Sequence, residues 1–365
     1  MRTELDDCRH YTLALRPGTL LDGAYRITHV LAQSSTFAVT YLAQDERADN
    51  HVVVKEFLPR TLAGRARDEL TVLPHSAEYE VTLARALRRF KREAELLADI
   101  AHPNIPRARR CVEANGTAYL VLEHYEGRTL AEHAAAAGDR LPADRASGLV
   151  LQVLQGLEAL HAEGIIHGYL TPETILVDAN SRALILGLGT TRHVVGAARE
   201  PMAGFAPIEQ YVAKDVGPWT DVYACAAILY RLTTGLTPPS AVERSAGQTV
   251  ALPWTGTTNV PAALTRAVMS GLAQLPDARP HSAEGFRRRL DASLALGAQA
   301  MAPRADQRIN ARWPAADPAE STATSATAES AQESEVSRLD EDGLVTNADA
   351  PSDRVRRLLK LVLGI

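Results

Sequence analysis

The side chains best suited to chemistry fall in one short stretch, HGYLTPETILVDANSRALILGLG, residues 167–189. It holds an imidazole (His167), a phenol (Tyr169), two threonine hydroxyls (Thr171 and Thr174) and two carboxylates (Glu173 and Asp178). A phenol titrates at about pH 10, so Tyr169 is a poor proton acceptor at neutral pH. The threonines offer neutral oxygens, which are weak ligands for a hard divalent cation. Only Glu173 and Asp178 bring negative charge. Gly168 and Pro172 mark a turn, and Thr174–Val177 and Ala183–Leu186 read as short strands. An apolar, helix-like run, GLVLQVLQGLEALHAEGII, leads into the turn.

The elements that must position this stretch lie on both sides of it. Upstream, Tyr25–Ala32 and Phe37–Gln44 alternate and are predicted strands, and His51–Phe57 is a third, carrying Lys55. Residues Glu78–Ile100 place Leu87, Phe90, Leu96 and Leu97 at helical spacing, with Glu93 on the same segment. Leu130–Ala137 reads as a short helix stopped at Gly138, and Ala143–Gly164 as a long amphipathic one.

The order of these motifs resembles the protein kinases, and within them a bacterial serine/threonine subfamily. The catalytic pattern H-R-D-L-K-P-x-N-I-L followed by D-F-G is matched at His167, Pro172, Ile175, Leu176 and Gly189. Lys55 in VVVK matches the strand lysine, Glu93 the helix glutamate that pairs with it, and His102-Pro103-Asn104-Ile105 the turn that follows. Ala118–Gly127 matches the last strand and hinge. Ala206-Pro207-Ile208-Glu209 matches A-P-E, with Arg279 as the implied ion-pair partner of Glu209. Asp221 matches the buried carboxylate that accepts backbone N–H bonds from the His167 turn. The resemblance runs from about Thr19 to Leu296.

It implies an α+β, bilobal protein-kinase-like fold. A small antiparallel sheet with one main helix forms the N-lobe (about 19–124), and a larger, mostly helical C-lobe follows (about 125–296). The same resemblance marks what is missing. Tyr169 stands for the catalytic Asp, Gly168 for the Arg before it, Thr171 for the Lys, Thr174 for the metal-binding Asn and Gly187 for the D-F-G Asp. No glycine stands in LAQSSTFAVTYLA, where Ala32, Ser34 or Ser35, and Ala38 take the glycine positions. From Arg192 to Phe205 there is no Ser, Thr or Tyr to phosphorylate, and Met202 replaces the usual Thr.

The implied function is that of a pseudokinase, a signalling scaffold or regulatory binding protein with phosphotransfer lost. One alternative is a serine/threonine kinase that recruits Glu173 or Asp178 as displaced acids. Another is an ATP sensor working without metal. A nucleotide would meet Lys55, Glu93, Val53, Leu176 and the hinge at Glu123 and Tyr125; no metal ligand is expected, and ATP without Mg²⁺ is the only cofactor left open. His167, Glu209, Asp221 and Arg279 are implied as structural.

Hydrophobic content of 46% with 23% charged residues fits a globular protein, and a net charge of −5 gives no reason to expect nucleic acid. Cys8, Cys111 and Cys225 make no metal-ligand spacing, and no run approaches the roughly 20 apolar residues of a membrane span. A cytoplasmic protein with a protein partner is expected. Residues 1–18 read as a leader. Residues 297–353, rich in Ala, Ser, Thr and Glu, read as a disordered linker. Residues 354–365 read as a basic amphipathic helix, with Val355, Leu358, Leu359 and Val362 on one face. That helix would contact a partner or a membrane surface.

Overall fold

In the computed structural model, residues 13–32, 37–188, 201–212, 216–251 and 260–301 are described. The N-lobe is an antiparallel six-stranded sheet of order β1-β2-β3-β4-β8-β7. Its strands are β1 (Leu20–Leu21), β2 (Tyr25–Ala32), β3 (Ala38–Asp45), β4 (Asn50–Phe57), β7 (Ala108–Ala114) and β8 (Thr117–Glu123). Between β4 and the helix α1 (Ala77–Asp99), a small hairpin of β5 (Ala63–Arg65) and β6 (Val72–Pro74) intervenes. The predicted helix at Glu78–Ile100 is thus found within one residue at each end. Its Ala86, Phe90, Ala94 and Leu97 are buried, and the Phe90 ring sits 5.3 Å from that of Phe57 on β4.

Strand periodicity gives this sheet two working faces. On β4, Lys55 and Phe57 point one way, toward α1 and the cleft. Val52, Val54 and Glu56 point the other way, where they meet Val39 and Tyr41 of β3 and Tyr119 of β8 in a second core. The β5–β6 hairpin and residues 13–15 cover that second face. Leu15, inside the predicted leader, is buried, and its N–H donates to the Tyr41 hydroxyl at 3.0 Å.

The C-lobe opens with β9 (Arg128–Thr129) and α2 (Leu130–Ala136), whose first turn is closed by reciprocal hydrogen bonds between Thr129 and Glu132. α3 (Ala143–Ala162) then delivers the chain to the 167–174 turn. A 3-10 turn at Pro172–Thr174 leads into β10 (Ile175–Val177), which pairs with β9 and with β11 (Ala183–Ile185). α4 (Ile208–Tyr211) and α5 (Pro218–Thr234) follow. α5 is apolar around most of its circumference and almost wholly buried, as a helix must be at the centre of a helical layer. α6 (Ala241–Ser245), α7 (Ala262–Gly271) and α8 (Ala283–Met301) complete the described chain. α8 runs past the boundary expected at residue 296. The linker to 353, the basic helix at 354–365, Ser34, Ser35 and Gly189, and the segment from Arg192 to residue 200 lie outside the described residues. Among the described residues, no helix is long and apolar enough to cross a membrane.

Candidate functional site

Between the sheet and the 167–188 segment lies a cleft of about 650 Å³. Lys55, Val53, Glu123, Tyr125 and Leu176 line it, together with Tyr169, Thr171, Thr174 and Gly187. The chain therefore gathers the expected nucleotide-contacting positions and the positions of the missing acids around one space. Glu93, half-buried on α1, is not among the lining residues.

Lys55 is 6% exposed. Its ammonium donates to the backbone carbonyl of Gly187 at 3.0 Å and to that of Leu188. Gly187 adopts φ +88°, a left-handed conformation that glycine takes without steric cost. The position thus carries no side chain toward the cleft, and its carbonyl is occupied by the lysine.

The Thr174 hydroxyl is also turned into its own loop. It accepts from the Thr171 N–H at 2.9 Å and donates to the Thr171 carbonyl at 3.0 Å. Asp178 does not line the cleft. Its carboxylate accepts from the N–H groups of Asn180 and Arg182, each at 2.9 Å, and from the Arg182 guanidinium at 3.0 Å. These bonds, that from the Arg182 N–H foremost, hold the Asp178 carboxyl below its ordinary range. Asp178 closes the β10–β11 turn, whereas Glu173 lines the cleft.

The turn itself hangs on Asp221 at the start of α5. Its carboxylate accepts from the N–H of His167 at 2.9 Å and of Gly168 at 2.7 Å, and bonds His161 Nε2 at 2.8 Å. Complete burial pushes the Asp221 carboxyl up, but these bonds, led by the one from His161, outweigh it and leave the group below its usual value. His167 Nε2 lies 2.8 Å from the Leu186 carbonyl. Gln210 donates to the Gly168 carbonyl at 2.6 Å. Deeper in the lobe, Arg279 holds Glu209 through two parallel hydrogen bonds of 2.7 and 3.0 Å, and Thr220 adds a third at 2.9 Å. His161 and Gln210 were not singled out from the sequence, because nothing in helical or strand periodicity points from either to the turn.

A protein kinase domain matches residues 36–272. The chain belongs to the protein kinase family. Its kinase domain is similar to that of the serine/threonine-protein kinase pkn2 of Myxococcus xanthus, 29% identical over 237 residues, covering 61% of this chain and 26% of that protein. It is also similar to the probable serine/threonine-protein kinase pknA2 of Bifidobacterium longum, 25% identical, covering 61% of this chain and 28% of the relative. The chain thus spans about a quarter of the length of these curated relatives. Among solved structures, PpkA-294 in its apo form superposes with a TM-score of 0.64 at 28% identity, covering 76% of this chain and all of that one. Bacterial serine/threonine kinases are accordingly its relatives, and the bilobal kinase fold is established.

The family implies a nucleotide carried with Mg²⁺, and the residues present do not fit the metal. Magnesium demands hard oxygen ligands in near-octahedral array. Thr174 offers a neutral hydroxyl engaged by its own loop, and Gly187 offers no side chain. Among the described residues, no group of three or more His, Cys, Asp or Glu could hold a metal ion.

Proposed function

We propose that this kinase-fold protein is a pseudokinase, a signalling scaffold or regulatory binding protein that does not transfer phosphoryl groups. The observation that carries this reading is the state of Lys55. Its ammonium, at the place where the family binds phosphates, donates to the carbonyls of Gly187 and Leu188, on the very segment that lacks the metal-binding carboxylate. Phosphoryl transfer depends on positioning and charge neutralisation. A cleft whose cation is used to hold its own backbone, and whose base position is a phenol, supplies neither.

The alternative, a weak kinase using a displaced acid, draws on Glu173, which does line the cleft. One carboxylate does not make two metal seats, and Asp178, the other candidate, is committed to its turn. The test is transfer from radiolabelled ATP, with Mg²⁺ or Mn²⁺, to the protein itself and to a generic basic substrate. Label incorporation equal to that of Lys55→Met is the expected result. Incorporation that depends on both Lys55 and Glu173 would establish the weak kinase in its place.

A further inference from the structure

The outward face of α1 carries an unusual charge pattern. Arg85, Arg88, Arg89 and Arg92 are all exposed and stand at i, i+3, i+4 and i+7, so they form one stripe about 10 Å long. Among the described residues, none of the four guanidiniums has a hydrogen bond or ion pair. Elsewhere in the same lobe, Arg16, Arg26, Arg65, Arg109 and Arg110 each hold a carboxylate.

Helix energetics give the stripe little reason to be there. Arg85–Arg89 and Arg88–Arg92 are like-charge pairs four residues apart, an arrangement that destabilises a helix. Cations gain from the helix dipole only in the last turn, and the last turn of α1 has no basic residue; these four lie in its middle. The buried contacts of α1 are made by Ala86, Phe90, Ala94 and Leu97, on the side away from the arginines.

Acidic residues bracket the stripe. Glu78 and Glu80 lie before it, and Glu95 and Asp99 after it, all exposed. That bracketing narrows the partner. An anionic bilayer or a nucleic acid backbone extends well beyond 10 Å in either direction and would meet carboxylates at both ends. A second copy of this chain, packed helix against helix about a two-fold axis, would set arginine against arginine. A short acidic segment with basic flanks satisfies all three zones at once.

We propose that the arginine stripe of α1 docks an acidic segment of another protein, one whose central Asp or Glu residues are flanked by Lys or Arg. The proposal stands on α1 alone and is independent of whether the cleft transfers phosphoryl groups. The test uses the full chain and a fluorescein-labelled, alanine-based helical peptide with glutamates at i, i+3, i+4 and i+7 and lysines at both ends. Fluorescence anisotropy is read against a scrambled isomer, phosphatidylserine vesicles and duplex DNA.

The patterned peptide should bind more tightly than the isomer, and binding should weaken with added salt. It should fall by at least about tenfold when all four arginines become Gln, while Arg145→Gln, an exposed arginine of the C-lobe, leaves it unchanged. The fourfold variant should also melt no lower than the native protein, since it relieves repulsion. Equal binding of the scrambled isomer, tighter binding to vesicles or DNA, or a marked fall in the melting temperature of the fourfold variant would each overturn the proposal.

Discussion

Lys55 ties the sheet to the 167–188 segment. It is held on β4 at the place the family reserves for a phosphate-binding lysine, but it bonds the carbonyls of Gly187 and Leu188. Replacing it by Met leaves the buried Leu188 carbonyl without that donor, at a cost of roughly 1–3 kcal/mol. Urea denaturation should therefore show Lys55→Met to be less stable than the native protein in the absence of any ligand. Equal stability would mean that the lysine does not tie the two segments. Asp221 gives a pH-dependent counterpart. Its folded-state carboxyl titrates below its ordinary value, so the stability it contributes is present above the unfolded value of about 3.9 and is lost as pH falls through the folded one. Asp221→Asn should cost about 3 kcal/mol at neutral pH. That gap should hold from pH 7 down to the ordinary carboxylate range and narrow only below it; a gap that closes already near neutrality would contradict the assignment.

Elements differ in how clearly the sequence announces them. α1 and α3 could be placed from apolar spacing alone, since each is long enough to show several turns of a 3.6-residue period. The β5–β6 hairpin was not anticipated, because strands of three residues carry no period to read. With it went the second core. Glu56 alternates with Lys55 and by pattern alone would face solvent; it is buried because the hairpin brings Arg65 onto it. Both side chains are fully buried and paired, and the hydroxyls of Tyr41 and Tyr119 donate to Glu56 at 2.6 and 3.0 Å. Burial pushes both phenols well above their usual value, which keeps them protonated as donors. Arg65 further donates to the carbonyls of Leu13 and Leu70, so one side chain joins the N-terminal segment, the hairpin and the sheet. Arg65→Ala should cost about 3–5 kcal/mol by leaving a buried carboxylate unpaired, while the Glu56→Met, Arg65→Met double variant should be far less damaging. Chemical denaturation of the two variants distinguishes them. A double variant as unstable as Arg65→Ala would show that packing, and not the uncompensated charge, dominates there. At the site, the cleft-lining positions Val53, Lys55, Leu176 and Gly187 were legible from motif order. The bonds beside them, from Thr174 to its own loop and from Asp178 to its turn, depend on backbone geometry that residue types do not reveal.

At the scale of the molecule, the chain keeps the parts of a kinase that hold the C-lobe together. The Glu209–Arg279 pair, the Asp221 hub and the buried α5 are all intact, and the groups altered are those that would meet metal and hydroxyl proton. On the proposed reading, a fold kept without its chemistry presents surfaces, and the cleft is one interior space among them. The measurement that bears most directly on this is the melting temperature of the full chain in millimolar ATP, with and without Mg²⁺. A ligand at a hundredfold excess over its Kd stabilises a protein by about 2.7 kcal/mol, which is readily seen as a shift. Adding Mg²⁺ is expected to change nothing, because Thr174 and Gly187 give the ion no seat. A rise in melting temperature that requires both ATP and Mg²⁺, and that disappears in Lys55→Met, would contradict it.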